Sequence, residues 1–240
     1  MKKIIFHSNR EYSLHSNDDH PEPTSKFIPE WYLKSDKYIT DPRTNEHALN
    51  FDGTKMLSYK SCPALLDIYT TGYMIKTPCD LFFYEENNEI FVKVKREYKD
   101  FCGERSPMKG FPVPAGYHEK HFHWYAQWAP ELPEGYSAIH LSPINRFDLP
   151  FITVGGIIDN DKVNIPGLIP FFVKKGFTGI VPKGTPYMQI IPFKREDWEM
   201  ELNLHTPEEI FNRFTKSSET FRKPGGNVYR TKFWTRRKYL

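Results

Sequence analysis

At 240 residues, with 39% hydrophobic and 26% charged side chains, the chain is long enough for one large domain that buries a core without disulfides or a structural metal. Its 16% aromatic content and 20 prolines exclude a coiled coil, a helical solenoid and collagen, since prolines interrupt helices and aromatics favour pleated, half-buried surfaces. The formal charge of +3 is too mild to name a partner, and no apolar run reaches the roughly 18 residues of a membrane helix, so no membrane partner is expected.

The first predicted strand covers residues 2–6. Its apolar run is too short for a secretory leader, so a cytoplasmic protein is expected. Polar residues 8–26, with Asp18-Asp19 and Pro21-Glu22-Pro23, read as an irregular arm. Phe27-Ile28-Pro29-Glu30-Trp31-Tyr32 supplies a dense aromatic anchor, and residues 34–55 lack periodicity and read as loop. Pro63 in a first turn and Gly72 as a stop predict a short helix over 63–71. Two β-like runs, 81–86 and 89–95, flank Asn87-Asn88, a pair that tolerates the positive φ of a tight hairpin. Residues 97–116 are polar and rich in Pro and Gly, hence a long loop. Strands follow at 121–128, 137–141, 151–158, 168–173, 178–181 and 187–192, separated by turn signals such as Pro133-Glu134-Gly135 and Pro182-Lys183-Gly184. Thr206-Pro207-Glu208-Glu209 is a capping box with proline at N1, and Ile210, Phe211 and Phe214 follow at helical spacing. That predicts a helix over 207–220, stopping before Pro224-Gly225-Gly226. The expected fold is mainly β: a jelly-roll or β-clip-like sandwich with two short helices and extended N- and C-terminal arms. Along the chain this divides into an N-terminal strand and irregular arm (1–60), a β-sandwich body (61–200), and a capped helix with a basic aromatic tail (201–240).

Cys62, Cys79 and Cys102 are odd in number and contain no CxxC, so neither a disulfide framework nor a zinc knuckle is indicated. Charge is distributed unevenly. Residues 222–240 hold seven basic side chains and no acidic one, leaving 26 basic against 30 acidic over residues 1–221. A basic tail thus follows a mildly acidic body.

Three groups of residues could carry chemistry. On a strand, His121 and His123 point to one face, the way a jelly roll presents two metal ligands, with His118 upstream and Glu131 available to complete a facial triad for a divalent metal. This resembles the cupin family, whose second motif follows a PxG turn with a further histidine; here the turn is Pro182-Lys183-Gly184 and Tyr187 holds the histidine's place. The second group is Gly155-Gly156-Ile157-Ile158-Asp159-Asn160-Asp161 with Gly184 and Gln189 downstream. It resembles the dUTPase and dCTP deaminase superfamily, which implies Asp159 as the family carboxylate, Asp161 beside it, and a nucleotide substrate. Lys162 stands where that family has a tyrosine. The competing reading is a glycine bulge and an Asx turn. The third group is the tail, with Arg230, Lys232, Phe233, Trp234, Arg236, Arg237 and Lys238. Interleaved cations and aromatics suit nucleic-acid backbones and bases, and equally an arm docked on its own body or a neighbouring subunit.

Taken whole, the chain resembles a family of tailed bacteriophages and some bacteria. The residues that carry this are Phe27-Ile28-Pro29-Glu30-Trp31-Tyr32, Lys60-Ser61-Cys62-Pro63 with Gly72-Tyr73, Pro133-Glu134-Gly135-Tyr136-Ser137, Lys183-Gly184-Thr185-Pro186, Pro192-Phe193-Lys194-Arg195-Glu196-Asp197-Trp198 and Phe233-Trp234-Thr235-Arg236-Arg237-Lys238. The resemblance implies a phage-type protein, in the host cytoplasm or the virion, and brings no activity with it. Without a complete catalytic set, the expectation is a non-enzymatic structural or assembly protein that forms a homo-oligomer or binds other phage proteins through its aromatic arms. A small-molecule enzyme or binder working through His121 and His123, or through Asp159, is the alternative.

Overall fold

A computed structural model of the chain describes residues 2–8, 19–105, 109–221 and 228–240, with backbone alone for 217–221. Most of the expected polar arm (9–18), Arg222 and Lys223 of the tail, and Pro224-Gly225-Gly226 lie outside the described residues. Fourteen strands occur among the described residues: β1 (Ile5–Ser8), β2 (Glu22–Pro23), β3 (Tyr73–Lys76), β4 (Leu81–Glu86), β5 (Glu89–Val94), β6 (Cys102–Arg105), β7 (His121–Tyr125), β8 (Trp128–Glu131), β9 (Tyr136–Leu141), β10 (Phe151–Thr153), β11 (Gly156–Ile158), β12 (Leu168–Val173), β13 (Gly179–Val181) and β14 (Pro186–Lys194). Three α-helices accompany them, α1 (Glu30–Lys34), α2 (Pro63–Ile68) and α3 (Pro207–Phe221).

The mainly β sandwich expected from turn spacing is what forms. The strands make four sheets, ordered β11-β9-β14-β3-β2, β10-β12-β7-β6, β13-β4-β5 and β1-β8, and each of their pairings is antiparallel. Period-two alternation fills the core. Along β7, Phe122 and Trp124 point inward and are fully buried, which turns His121, His123 and Tyr125 to the other face. The Trp124 ring stacks on Phe171 at 3.6 Å and meets Phe151 edge-on at 5.2 Å. Its indole N–H donates to Thr153 Oγ1 at 3.0 Å, and that hydroxyl donates to the Tyr187 carbonyl at 2.6 Å. The Trp124 indole and the Thr153 hydroxyl therefore enter this aromatic core already paired.

Local chemistry explains the connections. Asn87 and Asn88 have φ of 52° and 63°, the doubly left-handed turn that matches the twist of β4 and β5. Gly72 (φ 79°) sits so close to β14 that a Cβ would collide with the Ile190 carbonyl oxygen. At the start of α3, Thr206 N–H donates to Glu209 Oε2 at 2.8 Å and Glu209 N–H donates to Thr206 Oγ1 at 3.3 Å, the reciprocal bonds of a capping box.

Three departures from the sequence reading have physical causes. The stretch 97–116 contains β6, whose Cys-Gly-Glu-Arg composition carries no strand preference and which is held by cross-strand pairing to β7 alone. The single strand expected over 151–158 breaks at Val154-Gly155, and its halves join different sheets as β10 and β11. The strand expected over 121–128 ends at Tyr125, and β8 begins at Trp128 with Pro130 inside it.

The chain divides into two compact units. One comprises Met1–Phe27, Gly72–Arg195 and Tyr239; the other comprises Ile28–Thr71, Glu196–Lys238 and Leu240. The first holds every strand named above. In the second, Tyr32 of α1 is buried against Tyr69, with ring centroids 4.9 Å apart. The Lys60 ammonium donates to the Leu33 carbonyl at 2.8 Å while lying 4.8 Å from the centre of the Tyr32 ring.

Candidate functional site

The structure places His121 and His123 on one face of β7, as alternation requires. His121 is 1% exposed and packs beside the stacked rings of Phe111 and Phe172, with centroids 6.1 and 5.6 Å away. His123 lies over Gly103 on β6, where any Cβ would come within 2.7 Å of its ring. His121 Nε2 and His123 Nδ1 are buried without hydrogen-bond partners. Burial pushes both imidazoles below their ordinary range, and the Arg105 guanidinium opposite His121 pushes further the same way. The other two residues of the expected metal set are engaged elsewhere. His118 Nε2 lies 2.9 Å from Glu85 Oε1. Glu131 receives His7 at 2.8 Å and Asn164 Nδ2 at 3.3 Å. Among the described residues no group of three or more His, Cys, Asp or Glu side chains converges as a metal site. Two histidines beside a fixed cation do not fit a divalent metal, whose binding the Arg105 charge opposes.

A cleft of about 580 Å³ opens near this face, lined in part by Glu89, Glu104, Arg105 and Lys120. Lys120 already holds Glu104 at 2.9 Å and Glu89 at 3.6 Å. Those two carboxylates share one ammonium.

Asp159 and Asp161 do come together, around Arg195 at the end of β14. The guanidinium NH1 donates to Asp161 Oδ1 at 2.7 Å, NH2 donates to Asp161 Oδ2, and NH1 lies 3.2 Å from Asp159 Oδ1. Ser137 Oγ donates to Asp159 at 2.6 Å, and the Gly135 amide donates to Asp161 at 2.9 Å. Arg195 holds the Asp161 carboxyl down to about 2, and the Ser137 hydroxyl and Arg195 depress that of Asp159. Carboxylates held ionised by such bonds are poor general bases. They clamp the beginning of β9 and the loop after β11 to the end of β14.

The tail is docked inside the second unit. Trp234 donates its indole N–H to Asp67 Oδ2 at 3.0 Å, Arg237 reaches the same oxygen at 3.3 Å, and the Arg230 guanidinium sits 5.9 Å from the Trp234 ring. Lys232, Phe233, Arg236 and Lys238 are exposed.

Among the described residues, one segment with a run of exposed large apolar side chains carries no motif. Residues 196–205 form no ladder or helix, and within them Trp198, Met200, Leu202 and Leu204 are 87%, 80%, 74% and 91% exposed. Asp197, Glu199, Glu201 and Asn203 alternate with them. In α3, directly downstream, Ile210, Phe211 and Phe214 are exposed as well. The signal was present in the sequence as strict period-two alternation, the pattern of a strand with one apolar face. Compared with models of known families and with curated proteins, the chain finds no match.

Proposed function

We propose that the protein is a non-enzymatic structural or assembly protein of phage type, and that it works by binding a neighbour through residues 196–214. One observation carries the reading: a strand-patterned segment followed by an amphipathic helix, with seven large apolar side chains in solvent. Monomeric soluble proteins rarely leave an apolar patch beyond about 300–600 Å² open to water, and larger ones mark interaction surfaces. The carboxylates of the nucleotide-directed alternative are committed to Arg195, and the histidines of the metal-directed one lack a third ligand, which leaves the apolar segment as the feature in need of a partner. Lys60 and Arg195, two of the motif residues behind the phage resemblance, serve packing. Lys60 holds α1, and the Arg195 amide donates to the Gly135 carbonyl at 2.9 Å.

The test compares the chain with a variant in which Trp198, Met200, Leu202 and Leu204 are each changed to Ser. In extracts of cells that make the protein, the parent should elute well above its own 28.4 kDa and the variant at its monomer mass. Their melting temperatures should agree closely, because exposed positions contribute little to the fold. Equal elution of the two at high mass would remove the reading.

A further inference from the structure

We infer that the neighbour is a second copy of this chain, whose basic tail receives the acidic side of the 196–205 segment while the apolar side is buried between the two. The inference rests on the reading above and adds the identity of the partner. Its first support is charge. Asp197, Glu199 and Glu201 carry no ion-pair partner among the described residues, and neither do Lys232, Arg236 and Lys238. The segment and the tail of one chain thus present a row of free carboxylates and a row of free cations, opposite in sign.

Spacing is the second support. Glu199 and Glu201 are two residues apart in a segment outside any helix, and so are Arg236 and Lys238. In extended backbone that separation puts successive charges about 7 Å apart on one side. Two such rows can pair cross-strand without skipping a position, and opposite charges placed that way stabilise while like charges repel. A two-fold axis satisfies the arrangement twice, because each copy offers both an acidic row and a basic row.

The third support is area. An aromatic side chain covers about 150–250 Å² and an aliphatic one, at about 25 cal/mol per Å², about 60–120 Å², so the seven in 196–214, weighted by their exposure, offer about 500–900 Å² per copy. A stable interface needs about 800 Å² from each partner. Together with the charged rows that flank them, these side chains reach that area in a pair of identical chains, with no third component.

Sedimentation velocity on the purified full-length chain tests this, across a range of protein concentrations and at about 50 and 500 mM salt, where the screening length shortens several-fold. The parent should dimerise or assemble further with rising concentration, and at least tenfold less tightly at the higher salt. Glu199→Lys with Glu201→Lys should abolish association at low salt, and so should Arg236→Glu with Lys238→Glu. An equimolar mixture of the two variants should form a mixed pair, since the rows are again complementary. All four positions are exposed, and unchanged circular dichroism and melting would confirm that each variant folds. A chain that stays monomeric at every concentration would overturn the second copy as partner while leaving the larger complex in cell extracts to decide the proposed function. Association lost in the Trp198→Ser family of variants but indifferent to both charge reversals would overturn the acid-to-base pairing. Association that survives the apolar substitutions too would overturn the proposed function with it.

Discussion

His121 shows how far a single side chain can be argued. Its ring is buried against the stacked Phe111 and Phe172 with Nε2 unpartnered, and an orphaned buried polar group costs about 1–3 kcal/mol. Phenylalanine suits the same aromatic slot without that cost. His121→Phe should therefore stabilise the chain by about 1 kcal/mol, read from urea unfolding. Proton linkage gives a second readout. His121, His123 and His140 titrate below the ordinary imidazole value of 6.5, each chiefly through burial, and the Asn160 bond only partly offsets this for His140. Unfolded imidazoles take up protons near that value, while the folded rings refuse them until the pH is lower. The unfolded state binds more protons in that window, so stability is fullest above about pH 6.5 and falls as the pH drops below it. In His121→Phe the fall between about pH 7.5 and 5.5 should be shallower; an unchanged slope would show that this ring does not carry the linkage. Sequence alternation put His121 and His123 on one face. It could not place Arg105 opposite the first or Gly103 beneath the second, because cross-strand register is fixed by partners some twenty residues away.

Among elements, β3 and β14 depend on one glycine. Gly72 has a positive φ, its carbonyl accepts the Thr24 amide at 3.0 Å, and its missing side chain is what lets the Ile190 carbonyl come close. Gly72→Ala meets both a left-handed backbone and a backbone collision that no side-chain rotation relieves. It should cost about 3 kcal/mol or more, seen as a lower urea midpoint with an unchanged slope; a loss under about 1 kcal/mol would mean that β14 can shift. The sequence marked Gly72 as a helix stop and missed the strand that starts at the next residue. Tyr-Met-Ile-Lys is buried at three of its four positions, and a short run buried on both faces shows no alternation to detect. The β4–β5 hairpin and the capped helix α3 were legible for the opposite reason, since the residues that define them are neighbours in sequence. Asp159 and Asp161 were found as a turn motif, yet Arg195, the residue that fixes their chemistry, lies 34 positions beyond Asp161.

At the scale of the molecule, the division into two units and the open apolar segment make different demands on the solvent. The strands of the first unit share a core of side chains almost wholly removed from water, whereas residues 196–205 of the second have no ladder to protect their backbone. Proteases cut where backbone is exposed and unpaired. Chymotrypsin, which favours large apolar residues, should therefore cleave the dilute chain first at Trp198, Met200, Leu202 or Leu204, before it reaches Phe122 or Trp124 in the core. If the segment is an interface, raising the protein concentration at a fixed ratio of protease to chain should slow that first cut several-fold, because association covers the same side chains. Cuts elsewhere on the surface should keep their rate, which separates burial of this segment from a general effect of crowding. A first cut within β7 or β12, or a rate at Trp198 indifferent to concentration, would contradict the assignment of residues 196–205 as the contact surface. The alternation behind this expectation is readable in the sequence as Trp-Glu-Met-Glu-Leu-Asn-Leu. Its meaning is not, because a strand pattern only becomes an interface when the fold is seen to leave it without a sheet.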